Sequence, residues 1–435
     1  MTSPAQELTN GMYKASGRSD ATTRLAGKCC AMVVFSSYPE DPRPRRAVST
    51  LLAAGMTVQL LCEAKPGAPR REVAERLAIT RIPLKHHRGG VLSYLYQYIG
   101  FTMIASMILL WRSIAHRYDV VYVHNMPDLL VFCSVVPKLL GAKVILDQHD
   151  PMPELMTALF GLEENSAAVR LVRTIERWSL RFSNRVITVN LRCKALFASR
   201  SCRAEKISVV MNTPDDAIFP FRSASTYPLK ARSSGEPFVI MFHGSMVKRN
   251  GLGLAVSALA RVLSSLPHAV LRVYGVATPF LEEVLREADA LGVAHAVEYL
   301  GPKTLEQLAD EIQTCDVGII PNEWNTFTRL NTPTRIFEYL FLGKPVVAPD
   351  TPGITDYFSP GTLLFFEAGN VEQLAAAILG VHADPVTAAE VTARGQEICR
   401  RHNWRSERDL LVRVVADLVD PAKVAAPDSR TTETI

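Results

Sequence analysis

The sequence predicts an α/β protein of two Rossmann-like domains, each a parallel sheet covered by helices on both faces. Three observations carry this. Short apolar runs alternate with helical stretches from residue 29 onward. The runs, such as "AMVVFSS" and "KVILDQHD", are continuously apolar, as strands buried on both faces are. One Ser-, Pro- and Arg-rich stretch, "PFRSASTYPLKARSSGE", interrupts the alternation near mid-chain. That composition marks a linker between two similar halves.

Each element follows from the pattern. Residues 1–28 are polar or small and are expected to form a disordered tail. In the first half, strands are expected at 31–37, 56–62, 119–125, 143–150, 184–190 and 207–212. Helices are expected over 46–54, up to Gly141, and over 167–182. In the second half, strands fall at 238–244, 269–275, 297–301, 316–322, 345–350 and 362–368. Helices cover 252–266 and 279–291, with a third from Thr304. A short helix in "TPTRIFEYLFLG" is well marked. Asn331 or Thr332 can cap it, Pro333 suits its first turn, and Gly343 ends it. Ile336, Phe337, Leu340 and Phe341 share one face. The domains are expected at 29–220 and 237–404, with a linker over 221–236, a helix over 405–420 and a disordered tail over 421–435.

The chain has 435 residues, 48% hydrophobic and 21% charged, ordinary for a globular protein. A net charge of +5 suits an anionic ligand or a membrane surface. No zinc-finger, helix-turn-helix or aromatic-basic motif accompanies it, so no nucleic-acid partner is expected. The eight cysteines form no CxxC or Cys/His cluster. No zinc site is expected. The N-terminus lacks the apolar core of a signal peptide, so a cytoplasmic protein with reduced thiols is expected.

Residues 91–111, "VLSYLYQYIGFTMIASMILLW", carry no charge and are long enough to span a bilayer. The segment lies between two expected strands of one sheet, which spanning would pull apart. A helix packed in the domain, or lying on a membrane with Tyr94, Tyr96, Tyr98 and Trp111 as anchors, is the expectation.

In open parallel sheets, ligands bind outside the carboxyl ends of the strands. That rule points to Ser36 onward and to Asn125, His149, Asp150, Asn212, Gly244, Gly301 and Asn322, among others, all facing one interdomain cleft. There is no GxGxxG after a strand and no GxxxxGK[ST], so neither a dinucleotide dehydrogenase nor a P-loop enzyme is expected. Instead "HGSMVKRNG" follows a strand and precedes a helix. Gly244 permits close backbone approach, and Lys248 and Arg249 can face a diphosphate. The alternative is a basic surface turn. Glu338 has two readings as well. It can accept the hydroxyls of a ribose, or it is an exposed carboxylate pairing weakly with Arg335. In "HNMPD" and "DQHDPMPE", His149, Asp150 and Glu154 can bind hydroxyls or move protons. Structural hydrogen bonding is the alternative for the histidines. His124, His149 and Asp150 match no standard metal spacing, so no metal is expected.

Taken together, "FHGSMVKRNGLGLAVSAL", "LRVYG", "VEYLG", "CDVGIIPN" and "PTRIFEYLFLGKPVVAPDTPG" resemble, in that order, the C-terminal domain of glycosyltransferase family 4, the glycosyl transferases of group 1. "SYPEDPRPRRAVSTLLAAGMTV", "YDVVYVHNMPDLLVF" and "KVILDQHDPMPEL" resemble the N-terminal domain of a bacterial branch. The resemblance implies a GT-B fold and a retaining, nucleotide-sugar-dependent transferase. Arg249 would contact the donor diphosphate beside Gly244, Ser245 and Lys248. Thr332, Pro333, Thr334 and Arg335 would present helix N-terminal groups to the phosphates. Glu338 would hold the ribose, and Gly301 and Pro302 would flank the base. His149 would lie near the sugar, with Asn125, Asp128 and Asp150 on the acceptor side. Catalysis would rest on His149, Arg249 and Glu338.

The departures from the family pattern are specific. Its first Glu falls at Leu330, its phosphate-loop lysine at Asn250, and "SSYPEDPRPRR" replaces a glycine pair. The expected reaction is transfer from a nucleoside-diphosphate sugar to a saccharide or lipid-linked saccharide. The setting would be surface polysaccharide synthesis at the inner face of the plasma membrane, without a cofactor. A catalytically degenerate nucleotide-sugar or membrane binder and a GT-B-like epimerase are the alternatives.

Overall fold

The computed structural model describes residues 20–84, 91–224 and 236–420. Residues 1–19, 85–90, 225–235 and 421–435, which hold most of the expected tails and linker, lie outside it, as does the side chain of the expected anchor Tyr94.

Two sheets organise the chain. The first begins with helix α1 (Asp20–Leu25), β1 (Cys29–Ser37), α2 (Pro42–Ala53) and β2 (Thr57–Glu63). Next come β3 (Arg71–Ala74), β4 (Leu77–Ile82), α3 (Val91–Ala115) and β5 (Val120–His124). A 3-10 turn, Asp128–Ser134, runs into α4 (Val135–Leu139), followed by β6 (Lys143–Gln148), α5 (Met152–Phe160) and α6 (Ala167–Phe182). The half closes with β7 (Arg185–Thr188), α7 (Leu191–Arg200) and β8 (Ile207–Val209). Strand order is β3-β4-β2-β1-β5-β6-β7-β8, parallel except for the β3–β4 pair.

The β3–β4 hairpin was not expected. Its strands, "REVA" and "LAITRI", mix charge with apolar residues because β3 is a half-exposed edge. Arg81 on β4 is buried, donating to Pro69 O at 2.9 Å and to Glu72 Oε2 at 3.0 Å.

The second sheet has β9 (Phe238–His243), β10 (Ala269–Tyr274), β11 (Val297–Gly301), β12 (Val317–Ile319), β13 (Val346–Pro349) and β14 (Leu364–Phe366). Its order is β11-β10-β9-β12-β13-β14, all parallel. Covering it are α8 (Leu252–Ser265), α9 (Pro279–Ala290), α10 (Leu305–Thr314), α11 (Thr334–Phe341), α12 (Pro352–Thr355), α13 (Val371–Ala383) and α14 (Pro385–Arg401). α15 (Trp404–Val419) ends the chain's helices.

α15 returns to the first sheet. Leu411, Val412, Val415 and Ala416 join Ala21 and Leu25 of α1 in one core with Met32, Leu60 and Tyr122. Arg24 Nη2 donates to Asp417 Oδ1 at 2.8 Å. α1 therefore corrects the expectation of a tail through residue 28: six residues are too few to show helical periodicity, but two of them are buried. On the other sheet face, α3, the 3-10 turn, α6 and α7 share a core with Val33, Val121, Leu146 and Val186. Phe101, Ala105 and Leu109 of α3 are fully buried there. α3 thus packs on the sheet by one stripe, as its place between β4 and β5 requires.

Candidate active site in the interdomain cleft

The parallel strands of both sheets direct their carboxyl ends at a cavity of 380 Å³, within the usual range for a small-molecule pocket. One wall carries Gly244, Ser245, Asn250 and Thr332 to Arg335. The other carries Arg43, His149, Asp150 and Asn212. The loop after β9 is held by close backbone packing. Gly251 has φ +74°, and a Cβ there would lie 1.6 Å from Pro321 O, so only glycine fits. Asn250 Nδ2 donates to Ser245 O at 2.8 Å. The residue standing in the family's lysine position thus braces the loop.

Arg335 is the floor of this wall. Nη1 donates to His243 O at 2.7 Å and Nη2 to Asn322 Oδ1 at 3.0 Å, and the guanidinium lies over Phe242. Arg249 is half-buried over Phe327, and burial lowers its pKa while Asp150 across the cleft opposes that shift. Lys248 is exposed. Gly301 ends β11 and Pro302 follows it, and neither lines this cavity.

α11 starts one residue later than expected. Pro333 is the N-cap and no side chain caps the first turn, because both expected caps face elsewhere. Thr332 Oγ1 donates to Gly353 O at 2.6 Å, and Asn331 lines the cavity. Thr334 Oγ1 donates to Asn212 O at 3.0 Å, across to the first domain. An uncapped helix start carries partial positive charge and suits an anion.

Glu338 is 9% exposed, which overturns the alternative of a solvated carboxylate paired to Arg335. Arg335 directs its donors at His243 and Asn322 instead. Glu338 Oε2 lies 3.3 Å from His243 Nε2, and neither atom makes a hydrogen bond. Burial pushes the Glu338 carboxyl up to about 7, against the pull of Arg335 and Arg46. Burial and the Arg335 charge hold the His243 imidazole well below its usual range. The site therefore keeps a buried carboxylate oxygen without a donor, which costs free energy until something donates to it.

On the first domain, three groups converge on Asp147 Oδ2: Tyr122 OH at 2.8 Å, His124 Nδ1 at 3.2 Å and His149 Nε2 at 3.2 Å. Burial raises the carboxyl, but the two histidines outweigh it and hold it well below the usual range. His124, Asp147 and His149 sit close enough to share a metal ion. The hydrogen bonds point elsewhere. Arg46 Nη2 donates to Asn212 Oδ1 at 3.1 Å, which turns Asn212 Nδ2 to His149 Nδ1 at 3.2 Å. His149 Nδ1 then accepts, and its Nε2–H donates to Asp147. With His124 also donating, the carboxylate is satisfied by protein hydrogens.

Asn125 and Asp128, expected at the acceptor, are braces behind this wall. Asn125 Oδ1 accepts from His149 N at 2.9 Å, and its Nδ2 donates to Asp150 O at 2.8 Å and Asp128 Oδ1 at 3.1 Å. Asp128 also accepts from Gln148 Nε2 at 2.8 Å and is buried, which with the Glu176 charge pushes its carboxyl up to about 7. Glu154, another candidate for proton transfer, is paired with Arg200. Only His149 and Asp150 of that set line the cavity.

The sequence reading missed Arg43 and Arg46, whereas Asn212 and Asn322 follow strands and met the strand-end rule. The strand-end rule pointed to the stretch after β1, but not to which of its three arginines, Arg43, Arg45 and Arg46, face inward. Arg43 is bidentate to Asp41 and 3.9 Å from Asp150 Oδ2. Leu330 is also new in role. It is buried in the first domain's core with Leu180, Val186 and Cys193, and its carbonyl accepts from Asn190 Nδ2 at 2.8 Å. Where the family has a carboxylate, this chain has an apolar plug joining the domains.

Two family models match the chain. Residues 42–213 match the glycosyl transferase 4-like domain, and residues 237–384 match the glycosyl transferases of group 1. None of the curated proteins matches by sequence. Solved structures are similar over nearly their whole length. Sucrose-phosphate synthase from Thermosynechococcus elongatus has a TM-score of 0.72 at 16% identity, covering 90% of this chain and 99% of its own. HepE of Anabaena in complex with UDP-glucose has 0.66 at 17%, covering 90% and 100%. The trehalose 6-phosphate synthase of Burkholderia multivorans has 0.67 at 14%, covering 94% and 100%. At these identities the likeness is one of fold, and the fold is GT-B.

Proposed function

The chain belongs to the glycosyl transferase group 1 family, and on that premise we propose its reaction. A sugar moves from a nucleoside-diphosphate sugar to a saccharide or lipid-linked saccharide, with retention at the anomeric carbon. The observation that carries this reading is one cavity lined by Arg43 and an uncapped helix start, with Arg249 on the adjoining loop after β9 and the buried, unpartnered Glu338 on the helix itself. Departure of a diphosphate needs negative charge stabilised where it develops, and fixed cations and amides supply that. Glu338 accepts from the ribose. His149, its ring fixed by Asp147 and Asn212, forms the wall against which sugar and acceptor hydroxyl are oriented. The Leu330 plug and the bonds from Asn190 to the Leu330 carbonyl and from Thr334 to the Asn212 carbonyl hold the domains together around the donor, which keeps water out. Protein cations serve the leaving group, so the reaction runs without a metal cofactor.

The acceptor reading rests on α3. Opposite its buried stripe, α3 exposes Tyr96, Met103, Met107, Trp111 and Ile114, each at least 59% accessible. A membrane-facing surface of a cytoplasmic protein in polysaccharide synthesis fits that stripe. The reaction test is turnover of Arg249→Ala and Glu338→Ala with saturating donor, with products analysed with and without acceptor. Loss of transfer in both supports the assignment. Near-normal turnover in both overturns it, and conversion of the sugar without acceptor makes the protein an epimerase.

A further inference from the structure

We propose that a basic groove at the lower edge of the N-terminal sheet, remote from the cleft, binds the phosphate headgroup of an anionic membrane lipid. This rests on the reading of α3 as a membrane-facing helix and adds what holds the protein there.

The groove measures 960 Å³ and lies where α6 and α7 end and β7 and β8 begin. Because β7 and β8 run parallel to their neighbours, this is the opposite end of the sheet from the donor cavity. It is lined by Arg181, Arg185, Arg200, Arg203 and Lys206, with Glu205 as its carboxylate. Arg200 is neutralised by Glu154 and Glu176. Three of the others are oriented by carbonyls, which leave their charge uncompensated. Arg181 Nε donates to Ser201 O at 3.2 Å, Arg185 Nη1 to Glu205 O at 2.7 Å, and Lys206 Nζ to Arg181 O at 2.8 Å. A further cation approaches from α4. Lys138 Nζ lies 4.2 Å from the centre of the Phe182 ring and donates to Phe182 O. Burial and this Lys138 charge hold the Lys206 amine below the usual lysine range. Fixed like charges around an open groove favour an anion with several acceptor oxygens, and a phosphate provides them.

What surrounds the groove names the source of the phosphate. Lys138 sits on α4, beside Leu139 and Leu140, which are 81% and 47% accessible. α3, α6 and α7 pack on the same sheet face, and the 3-10 turn between α3 and α6 runs into α4. The α3 stripe, the α4 leucines and the basic groove therefore lie along one side of the domain. Apolar side chains next to cations match the acyl boundary and headgroups of an anionic bilayer. A soluble phosphate ligand would have no use for the leucines.

The test is co-sedimentation of the full chain with vesicles of phosphatidylcholine alone, and with about one-third phosphatidylglycerol. The wild type should bind the anionic vesicles more tightly, and added salt should weaken that binding. Arg181→Gln/Arg203→Gln should lose roughly 30-fold on anionic vesicles, from about fivefold per cation, while binding neutral vesicles as the wild type does. Unchanged turnover with a soluble acceptor reports that the fold is intact. If the double variant fails to fold, the exposed Arg203→Gln alone should lose about fivefold. Equal binding of wild type and folded variant to anionic vesicles overturns the headgroup site and leaves the membrane reading standing. Failure of the wild type to bind either vesicle overturns both. Met107→Asp/Trp111→Asp tests the apolar face separately and should lose binding to both vesicles.

Discussion

Replacing Glu338 with Gln should make the free protein more stable at alkaline pH and the donor complex weaker. The carboxyl is buried with an unpartnered oxygen, and its pKa is raised from 4.5 to about 7. The folded state therefore holds this proton more tightly than the unfolded chain. Below about pH 4.5 the group is protonated in both states, and its contribution is unaffected by ionisation. From there to about pH 7 the unfolded chain ionises first, so stability falls, and above 7 the deficit is constant. At about 1.4 kcal/mol per pKa unit, the deficit is roughly 3 kcal/mol. Gln keeps the shape and removes the charge. Denaturant unfolding of both proteins near pH 4.5 and pH 8.5 should show equal stabilities at the lower value and the variant ahead by up to ~3 kcal/mol at the higher. Donor binding should move the other way. A hydrogen bond to a charged group contributes about 1.5–3 kcal/mol, so nucleotide affinity should drop roughly tenfold to a hundredfold at pH 8.5. Wild-type affinity should also tighten as pH rises through about 7, where the acceptor ionises. Parallel stability curves for the two proteins, with unchanged nucleotide affinity, would refute the claim that this carboxylate awaits a ligand.

Other outcomes follow from the same geometry. Arg249→Ala should lower turnover by about a hundredfold or more, as loss of a transition-state charge contact does, while the unfolding free energy changes little because the side chain is half-exposed. Leu330→Glu restores the family's residue type yet buries a charge in the first domain's core; stability should fall by several kcal/mol and transfer activity should drop, both read directly on the purified variant. Asp147→Asn removes the buried negative charge that three donors share and should destabilise by about 3 kcal/mol, by denaturant titration. Incubation with EDTA should leave transfer activity unchanged.

Much of the fold was legible because parallel strands announce themselves. "KVILDQ" and "FVIMFH" are apolar end to end, and Ala167–Phe182 is a helix with the expected bounds. The β3–β4 hairpin was not legible, since its half-exposed edge carries as much charge as a loop. Neither was α1, whose short turn is stabilised by packing on α15 nearly four hundred positions away. At the site, the strand-end rule pointed to Gly244, His149 and Asp150, the family resemblance added Ser245, Thr332, Thr334 and Arg335, and all seven line one cavity. Asn125 met the same rule but turns inward, because its amide bonds to the His149 backbone. Strand-end position does not encode side-chain direction.

Glu338 separates the two levels most clearly. Local sequence left it divided between a solvated charge and a ligand contact, for its neighbours at helical spacing allow both. The periodicity of "TRIFEYLF" determined the helix, and the strand–helix alternation determined the two sheets and the cleft between them. Only the tertiary structure decided that Glu338 is buried beside His243, that Leu330 enters the other domain, and that Arg46 fixes His149 through Asn212. Periodicity records which face of an element avoids water. The partners of a buried polar group come from distant segments, and the folded chain alone brings them within bonding distance.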